Sequence, residues 1–234
     1  MRQLAEHWPW RRRCGVALLV VALSLASTIK SWGQELLIVD FGRAKDKVPQ
    51  GWELMEKNGK ADLALVNDTD GQVLKLRSNS SSFSLNTEVE IDLKKTPFLE
   101  WEWKVSELPQ GGDFRKSATN DQAAQLLVVF RWAIFGKKEV IAYIWDSAAP
   151  KGSMGNDPSV AYVPFLTIRT VVVESGGVEK GKWITETRNV VEDYKKLFGN
   201  EPEKVQGIRI QINSQNTKSQ AESYWRYVKF TAVP

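Results

Sequence analysis

Between Trp183 and Tyr194 the chain reads WITETRNVVEDY, which sets Glu186, Arg188, Asn189 and Asp193 close together. A guanidinium near carboxylates forms charge-assisted hydrogen bonds, and the same groups can bind the hydroxyls of a polar ligand. If Trp183 begins a strand, Glu186 and Arg188 share the opposite face, where Arg188 can pair with an acid such as Glu186 or Asp121. Three chemistries are open to this segment: a structural ion pair near a helix start, ligand binding, and acid–base work by carboxylates. Catalysis would fall to carboxylates or tyrosine, because the one histidine, His7, and the one cysteine, Cys14, both lie in a short N-terminal leader. From residue 34 onward, a Cys-His pair, a Ser-His-Asp triad, a histidine-rich metal centre and a structural disulfide are therefore excluded. No Gly-x-Ser-x-Gly elbow, phosphate loop or nucleotide fingerprint appears. Retaining glycoside hydrolysis wants two carboxylates about 5 Å apart. Glu102, Glu186 and Asp121 supply such a pair only if the fold brings two of them into one cleft, so no residue is assigned as catalytic and no cofactor is implied.

Aromatic rings stack on the apolar faces of sugars while nearby amides and carboxylates bind the hydroxyls. Seven tryptophans follow the leader: Trp52, Trp101, Trp103, Trp132, Trp145, Trp183 and Trp225. Alternation puts Trp101 and Trp103 together in the core, and Trp52, after Pro49 and Gly51, closes the first turn. Tyr143 and Trp145 share a strand face suited to cross-sheet packing, whereas Trp132 near a hairpin end and Trp183 before Glu186 have a chance of facing a groove. The candidate ligand-binding set is Trp183, Glu186, Arg188, Asn189, Asp121, Asn216 and Trp145. Two long loops, 106–125 and 146–166, are rich in Gly, Asp, Asn and Ser, and rigid sheets often display binding residues on such loops. Asp113, Asn120 and Asp121 in one, with Asp146, Asn156 and Asp157 in the other, could meet at one end of the fold. Such oxygens could hold calcium, but no EF-hand order is present and no metal is assigned.

The elements that must position these groups are mainly strands. In WEWKV, 101–105, and IRIQI, 208–212, three apolar residues alternate with polar ones, the pattern of a pleated strand with one solvated face. LLVVF, 126–130, and TIRTVVV, 167–173, are more continuously apolar, as central strands are. Gly136-Lys137-Lys138 makes 126–145 a hairpin, and strands are also expected at 73–78, 82–91 and 224–232. Nine to eleven short antiparallel strands without alternating long helices predict an all-β, two-sheet sandwich. One short helix is expected, with Asn189 as its cap, Glu192 at the third position and Gly199 ending it in a left-handed conformation.

Arg2 and Arg11–Arg13 precede an apolar run, Gly15 to Ala26, and a more polar stretch follows. That is the order of a secretory signal peptide. A helix of this length reaches roughly 18 Å, well short of the roughly 30 Å of a bilayer core. The expected organisation is a signal peptide over 1–33 and one domain over 34–234, with no stable membrane span in the mature chain and a periplasmic or secreted location. Five of the 32 Lys and Arg and one of the 28 Asp and Glu lie in 1–33, leaving 27 of each. The formal net charge of +4 thus belongs to the leader and is no sign of nucleic-acid binding.

The stretches FGRAKDKVPQGW, VLKLRSNSSSF, WEWKVSELPQGGD, NDQAAQLLVVF, IAYIW, GKWITETRNVVEDYKKLFGNEP and VQGIRIQINSQNT run in order from Phe41 through Thr217. In that combination the chain resembles the exported bacterial family catalogued as domain of unknown function 3047. The resemblance implies a jelly-roll-like sandwich similar to many carbohydrate-binding modules, without an established activity. It carries the family's polar pattern onto Asp113, Asp121, Glu186, Arg188, Asn189, Asp193, Asn216 and Thr217. Two departures stand out: Gln125 where the family is expected to favour arginine, and Asn213 to Thr217 where an acidic stretch is expected before Asn-Thr.

The sequence therefore leads to an exported non-catalytic binding protein for a carbohydrate or another cell-envelope ligand, with a carboxylate-dependent glycoside hydrolase or lyase, or an assembly protein of the envelope, as alternatives. Cleavage after Gly33, with Ser31 and Gly33 as the small residues, gives a mature chain starting at Gln34; Ala26 or Thr28 would also serve. Mass spectrometry of the exported protein should find that new N-terminus, and an intact Met1 would contradict cleavage.

Overall fold

A computed structural model describes residues 34–131 and 138–234. The expected signal peptide, Trp132 and most of the hairpin turn at 136–138 lie outside the described residues. One sheet contains β1 (Glu35–Asp40), β3 (Asp62–Asp68), β4 (Gly71–Asn79), β6 (Phe98–Glu107), β11 (Ile184–Asn189) and β13 (Gln220–Thr231). Its order is β11-β6-β13-β4-β3, with β1 also paired to β13. The other contains β2 (Trp52–Asn58), β5 (Ser82–Ile91), β7 (Ala124–Arg131), β8 (Lys138–Asp146), β9 (Met154–Asn156), β10 (Leu166–Ser175) and β12 (Val205–Asn213). Its order is β2-β5-β12-β7-β8-β10-β9. The expected all-β sandwich is what the strands build. Among the described residues no helix is long and apolar enough to cross a membrane.

The alternating strands send their apolar residues between the sheets. Trp101 and Trp103 of β6 and Trp225 of β13 meet Tyr143 and Trp145 of β8, and all five are fully buried. Ring centroids lie 5.2 Å apart for Trp103–Trp225, 5.4 Å for Trp101–Tyr143 and 6.1 Å for Trp103–Trp145. Ile208, Ile210 and Ile212 of β12 join the same core. The opposite residues of β6 face solvent, where Glu102 accepts from Arg226 at 2.8 Å and Lys104 pairs with Asp68.

Among the described residues one strand pair is parallel. β8 and β10 run side by side in the same direction, so the chain must travel back the length of a strand between them. This is why the loop at 146–166 is long; β9 and a 3-10 turn at Pro158–Val160 lie within it. The alternation pattern passes over β1, β2, β3 and β9; of these, β2 (WELMEKN) and β3 (DLALVND) are edge strands with mostly exposed or half-buried residues, so little apolar periodicity marks them.

The α-helix of the described residues, α1 (Val190–Phe198), begins and ends as its residues dictate. Asn189 Oδ1 accepts from the backbone N–H groups of Val191 and Glu192, and Gly199 closes the helix at φ 81°. Val190 and Tyr194 are buried in the main core.

Removing the central ring should be costly. Trp103→Ala is expected to lower the unfolding free energy by about 3–5 kcal/mol, measured by urea denaturation; a loss under about 1 kcal/mol would contradict the central place of this ring.

Candidate functional site

Because Ile208, Ile210 and Ile212 point inward, Arg209, Gln211 and Asn213 of β12 must point outward. Register then sets two rows of side chains across the outer face of the seven-stranded sheet. One runs Asn86, Arg209, Leu127, Ala142, Thr170, and the next Ser84, Gln211, Gln125, Ile144, Val172. The β8–β10 half of this face is apolar and is covered: Leu127, Val140, Ala142, Ile144 and Val172 cluster with Phe114 and Ala149 from the two long loops. The β5–β12 half is amide-rich and stays open.

A cleft of about 150 Å³ lies where the halves meet. Leu127, Ala142 and Ile168 give it an apolar base, and amides and Arg209 line its polar side. The amides are tied together. Gln211 Nε2 donates to Gln125 Oε1 at 3.3 Å, Gln125 Nε2 donates to Asn213 Oδ1 at 2.5 Å, and Asn213 Nδ2 donates to the Asn120 carbonyl at 2.8 Å. Gln215, which also lines the cleft, keeps Oε1 buried with no partner. A buried acceptor left empty is costly, and a hydroxyl group entering the cleft would satisfy it.

The two long loops do meet here. Asn120 Nδ2 donates to Asp157 Oδ1 at 2.7 Å, and Asp157 also accepts from the backbone N–H and hydroxyl of Ser159. Asp146 accepts from the backbone N–H groups of Phe114, Ala148 and Ala149, and Asp113 is gripped by Arg115. Arg115 holds the Asp113 carboxyl below its ordinary value, while burial pushes that of Asp146 up. Each acid that could hold calcium has a protein partner, and among the described residues no three acidic, histidine or cysteine side chains converge.

Of the seven residues expected to bind ligand, only Asn216 lines the cleft, donating to the Asn120 carbonyl at 3.0 Å. Asp121 is fully buried behind it and accepts from the Thr217 N–H at 2.6 Å, the Thr217 hydroxyl at 2.8 Å and Asn213 at 3.1 Å. Burial pushes its carboxyl up, and these bonds pull it down. Its role is to shape the turn that carries Asn216. Trp145 is enclosed in the core, with Nε1 donating to the Gly176 carbonyl at 3.0 Å, so its ring is closed to a ligand. Asn189 is spent on capping α1. Arg188 forms a two-point pair with Asp193, which also accepts from the Tyr143 hydroxyl at 2.9 Å. That is a structural ion pair at the helix start, with Asp193 in place of the expected Glu186 or Asp121. Trp183 lies on the far side of the molecule, on the outer face of the six-stranded sheet. It donates to Asp68 at 2.9 Å and carries the Arg226 guanidinium 4.2 Å from its ring centroid.

Glu186 stands apart from the cleft. It pairs in register with Trp101 and so faces inward from β11, while Glu174 of β10 is buried and pairs in register with Trp145. Burial first, and the Glu174 charge second, push the Glu186 carboxyl up to about 8, against the opposing pull of Lys151 and Arg188. Lys151 is ion-paired to Glu174. The acid pair expected as a catalytic possibility therefore involves Glu174, which the sequence reading did not single out, in place of Glu102 or Asp121. Arg209, Gln211, Gln125 and Gln215 were also passed over as site residues. The signal for Arg209 and Gln211 is the outward phase of a strand recognised by its isoleucines, while Gln125 and Gln215 fall in the two departures from the family's expected pattern.

Residues 50–229 match the model of a family described as protein of unknown function (DUF3047). No curated protein matches the chain. Among solved structures, a family 30 carbohydrate-binding module of a cellulosomal cellulase of Clostridium thermocellum is similar at 11% identity, covering 86% of this chain and 98% of that one with a TM-score of 0.47. A family 11 module from a cellulosomal cellulase of the same organism gives 8% identity, coverage of 84% and 94%, and a TM-score of 0.44. The xyloglucanase domain of a type three effector from Sinorhizobium fredii, in complex with cellobiose, gives 9%, 77% and 94%, and 0.46.

The raised Glu186 carboxyl has a consequence for stability. A carboxyl held protonated in the folded state above its ordinary 4.5 contributes stability at low pH that is lost as pH rises toward 8. No histidine among the described residues titrates in that window. Glu186→Gln should therefore gain on the wild type as pH rises from 5 to 8.5, the difference in Tm growing by about 2–4 °C or more. A constant difference across that range would contradict the buried, protonated state.

Proposed function

We propose that this protein, which belongs to the family of unknown function DUF3047, is an exported, non-catalytic binding protein for a carbohydrate or another cell-envelope ligand. The observation that carries this reading is the cleft on the outer face of the seven-stranded sheet. An apolar base of Leu127, Ala142 and Ile168 suits the carbon face of a sugar ring. Bound amides and the unpartnered Gln215 Oε1 suit its hydroxyls. The cleft's volume, about 150 Å³, is close to that of cavities that hold one six-membered ring. A ligand there would be gripped at a single residue or chain end. The rigid strands beneath, and the amide chain tying Gln211 to Asn120, fix the donors before the ligand arrives, which lowers the entropy cost of binding. Export is supported by the basic, apolar, polar order of the first 33 residues.

A second reading rests on a different observation. A protonated Glu186 beside Glu174 is the arrangement by which glycosidases divide acid and base roles between two carboxyl groups. In it Glu186 would donate the proton, and Glu186→Gln would abolish glycan cleavage.

Isothermal titration against glycans selected on an array tests the binding reading. Gln211→Ala should weaken the selected glycan about 3- to 10-fold, the effect of losing one or two neutral hydrogen bonds, with no cleavage of the ligand. Binding that is undiminished in this variant, or no glycan bound at all, would overturn it.

A further inference from the structure

Arg209 lines the cleft beside Lys57 and Asp157, and its bonding is incomplete. Its Nε donates to Asn86 Oδ1 at 2.5 Å, and no carboxylate lies within ion-pair distance of it among the described residues. Four outward-facing cations of the six-stranded sheet have carboxylate partners, whereas Arg77 of β4 has only the Gln220 amide. Arg226 holds Glu102, Lys75 holds Glu222, Lys104 holds Asp68 and Lys229 holds Glu100. Arg209 is half-buried among amides, which can accept hydrogen bonds but cannot neutralise a charge. Burial lowers its pKa from the ordinary value, with no opposing pull from an acid. A cation desolvated without a counter-charge costs stability, and that cost is recovered when an anion binds.

We propose that the cleft takes an acidic sugar, a uronic-acid residue whose ring lies against Leu127 and Ala142 and whose carboxylate is held by the guanidinium of Arg209. This inference rests on the carbohydrate-binding reading above and narrows its ligand class. The planar fork of arginine matches the two oxygens of a carboxylate, and the Nε bond to Asn86 leaves the terminal N–H groups for that pairing. The charge balance fits a single negative charge. Lys57 and Arg209 are the cations that line the cleft, and Asp157 is the carboxylate, leaving one net positive charge for the ligand to match. Asp157 is itself held by Asn120 and Ser159, so it is not free to take Arg209 as a partner. A uronate also carries the hydroxyls that the amide row and Gln215 are placed to receive.

The test compares each uronate polymer with its own neutral form. Polygalacturonate, alginate and hyaluronan oligosaccharides are titrated against the full protein beside their carboxyl-reduced counterparts, with sulfated dextran as a second anion. At least one uronate oligosaccharide should bind about tenfold or more tightly than its reduced form. Arg209→Gln should bring its affinity down to that of the reduced form, and Arg209→Lys should fall between, while Tm holds or rises in Arg209→Gln. Equal or tighter binding of the reduced forms, preference for sulfated dextran over every uronate, or uronate binding unaffected by Arg209→Gln would overturn the proposal. Neutral-glycan binding that is weakened in Gln211→Ala, with no uronate bound more tightly than its reduced form, would sink the acidic-sugar inference and leave the carbohydrate reading standing. No binding of any glycan would sink both.

Discussion

The packing of five aromatic rings between two sheets fixes everything else in this molecule. Trp101, Trp103 and Trp225 from one sheet and Tyr143 and Trp145 from the other fill the middle of the sandwich, and each commits its strand to one phase of a two-residue repeat. A slip of one residue would drive Glu102 and Lys104 into the core. The packing is strong enough to tolerate two indole N–H groups, of Trp101 and Trp103, buried without acceptors. Each costs about 1–3 kcal/mol, against the large apolar area of an enclosed indole.

That phase decides what the outer faces carry. On the six-stranded sheet many of the outward residues are charges and rings in mutual contact, such as Arg226 with Glu102 and over Trp183. On the seven-stranded sheet the parallel β8–β10 pair forces a long return loop, and that loop helps cover the apolar half of the face. The uncovered half presents amides and one unmatched guanidinium. The boundary of that half with the covered half is the cleft.

Much of the fold was legible because the strongest signals come from alternation and caps. WEWKV and IRIQI show their inward faces directly, and Asn189 and Gly199 mark the ends of α1. Edge strands β2 and β3 were not legible, since a strand with little buried surface has little reason to alternate. The parallel pair was hidden too, because strand direction depends on where a loop goes. The cleft was legible only in part. Residues that stand out by type, Trp145, Glu186, Arg188 and Asp121, are those a sandwich spends on its core and braces: Arg188 on Asp193, Asp121 on Thr217. Arg209 and Gln211 look like ordinary solvent-facing positions until the register sets them beside Leu127 and Gln125. The two departures from the expected family pattern, Gln125 and the Asn213 to Thr217 stretch, and the meeting of the loops that carry Asn120 and Asp157 led toward the cleft. Asn213, Gln215 and Asn216 all line it.

The central claim is that the outer face of the seven-stranded sheet, at β12 and β7, is where this protein meets its ligand. A crystal structure of the protein soaked with the oligosaccharide it binds best tests this most directly. The account predicts one sugar ring against Leu127 and Ala142, with its polar groups on Arg209, Gln211 and Gln215. Ligand density on the Trp183 face, or between Glu174 and Glu186, with the cleft empty, would contradict it.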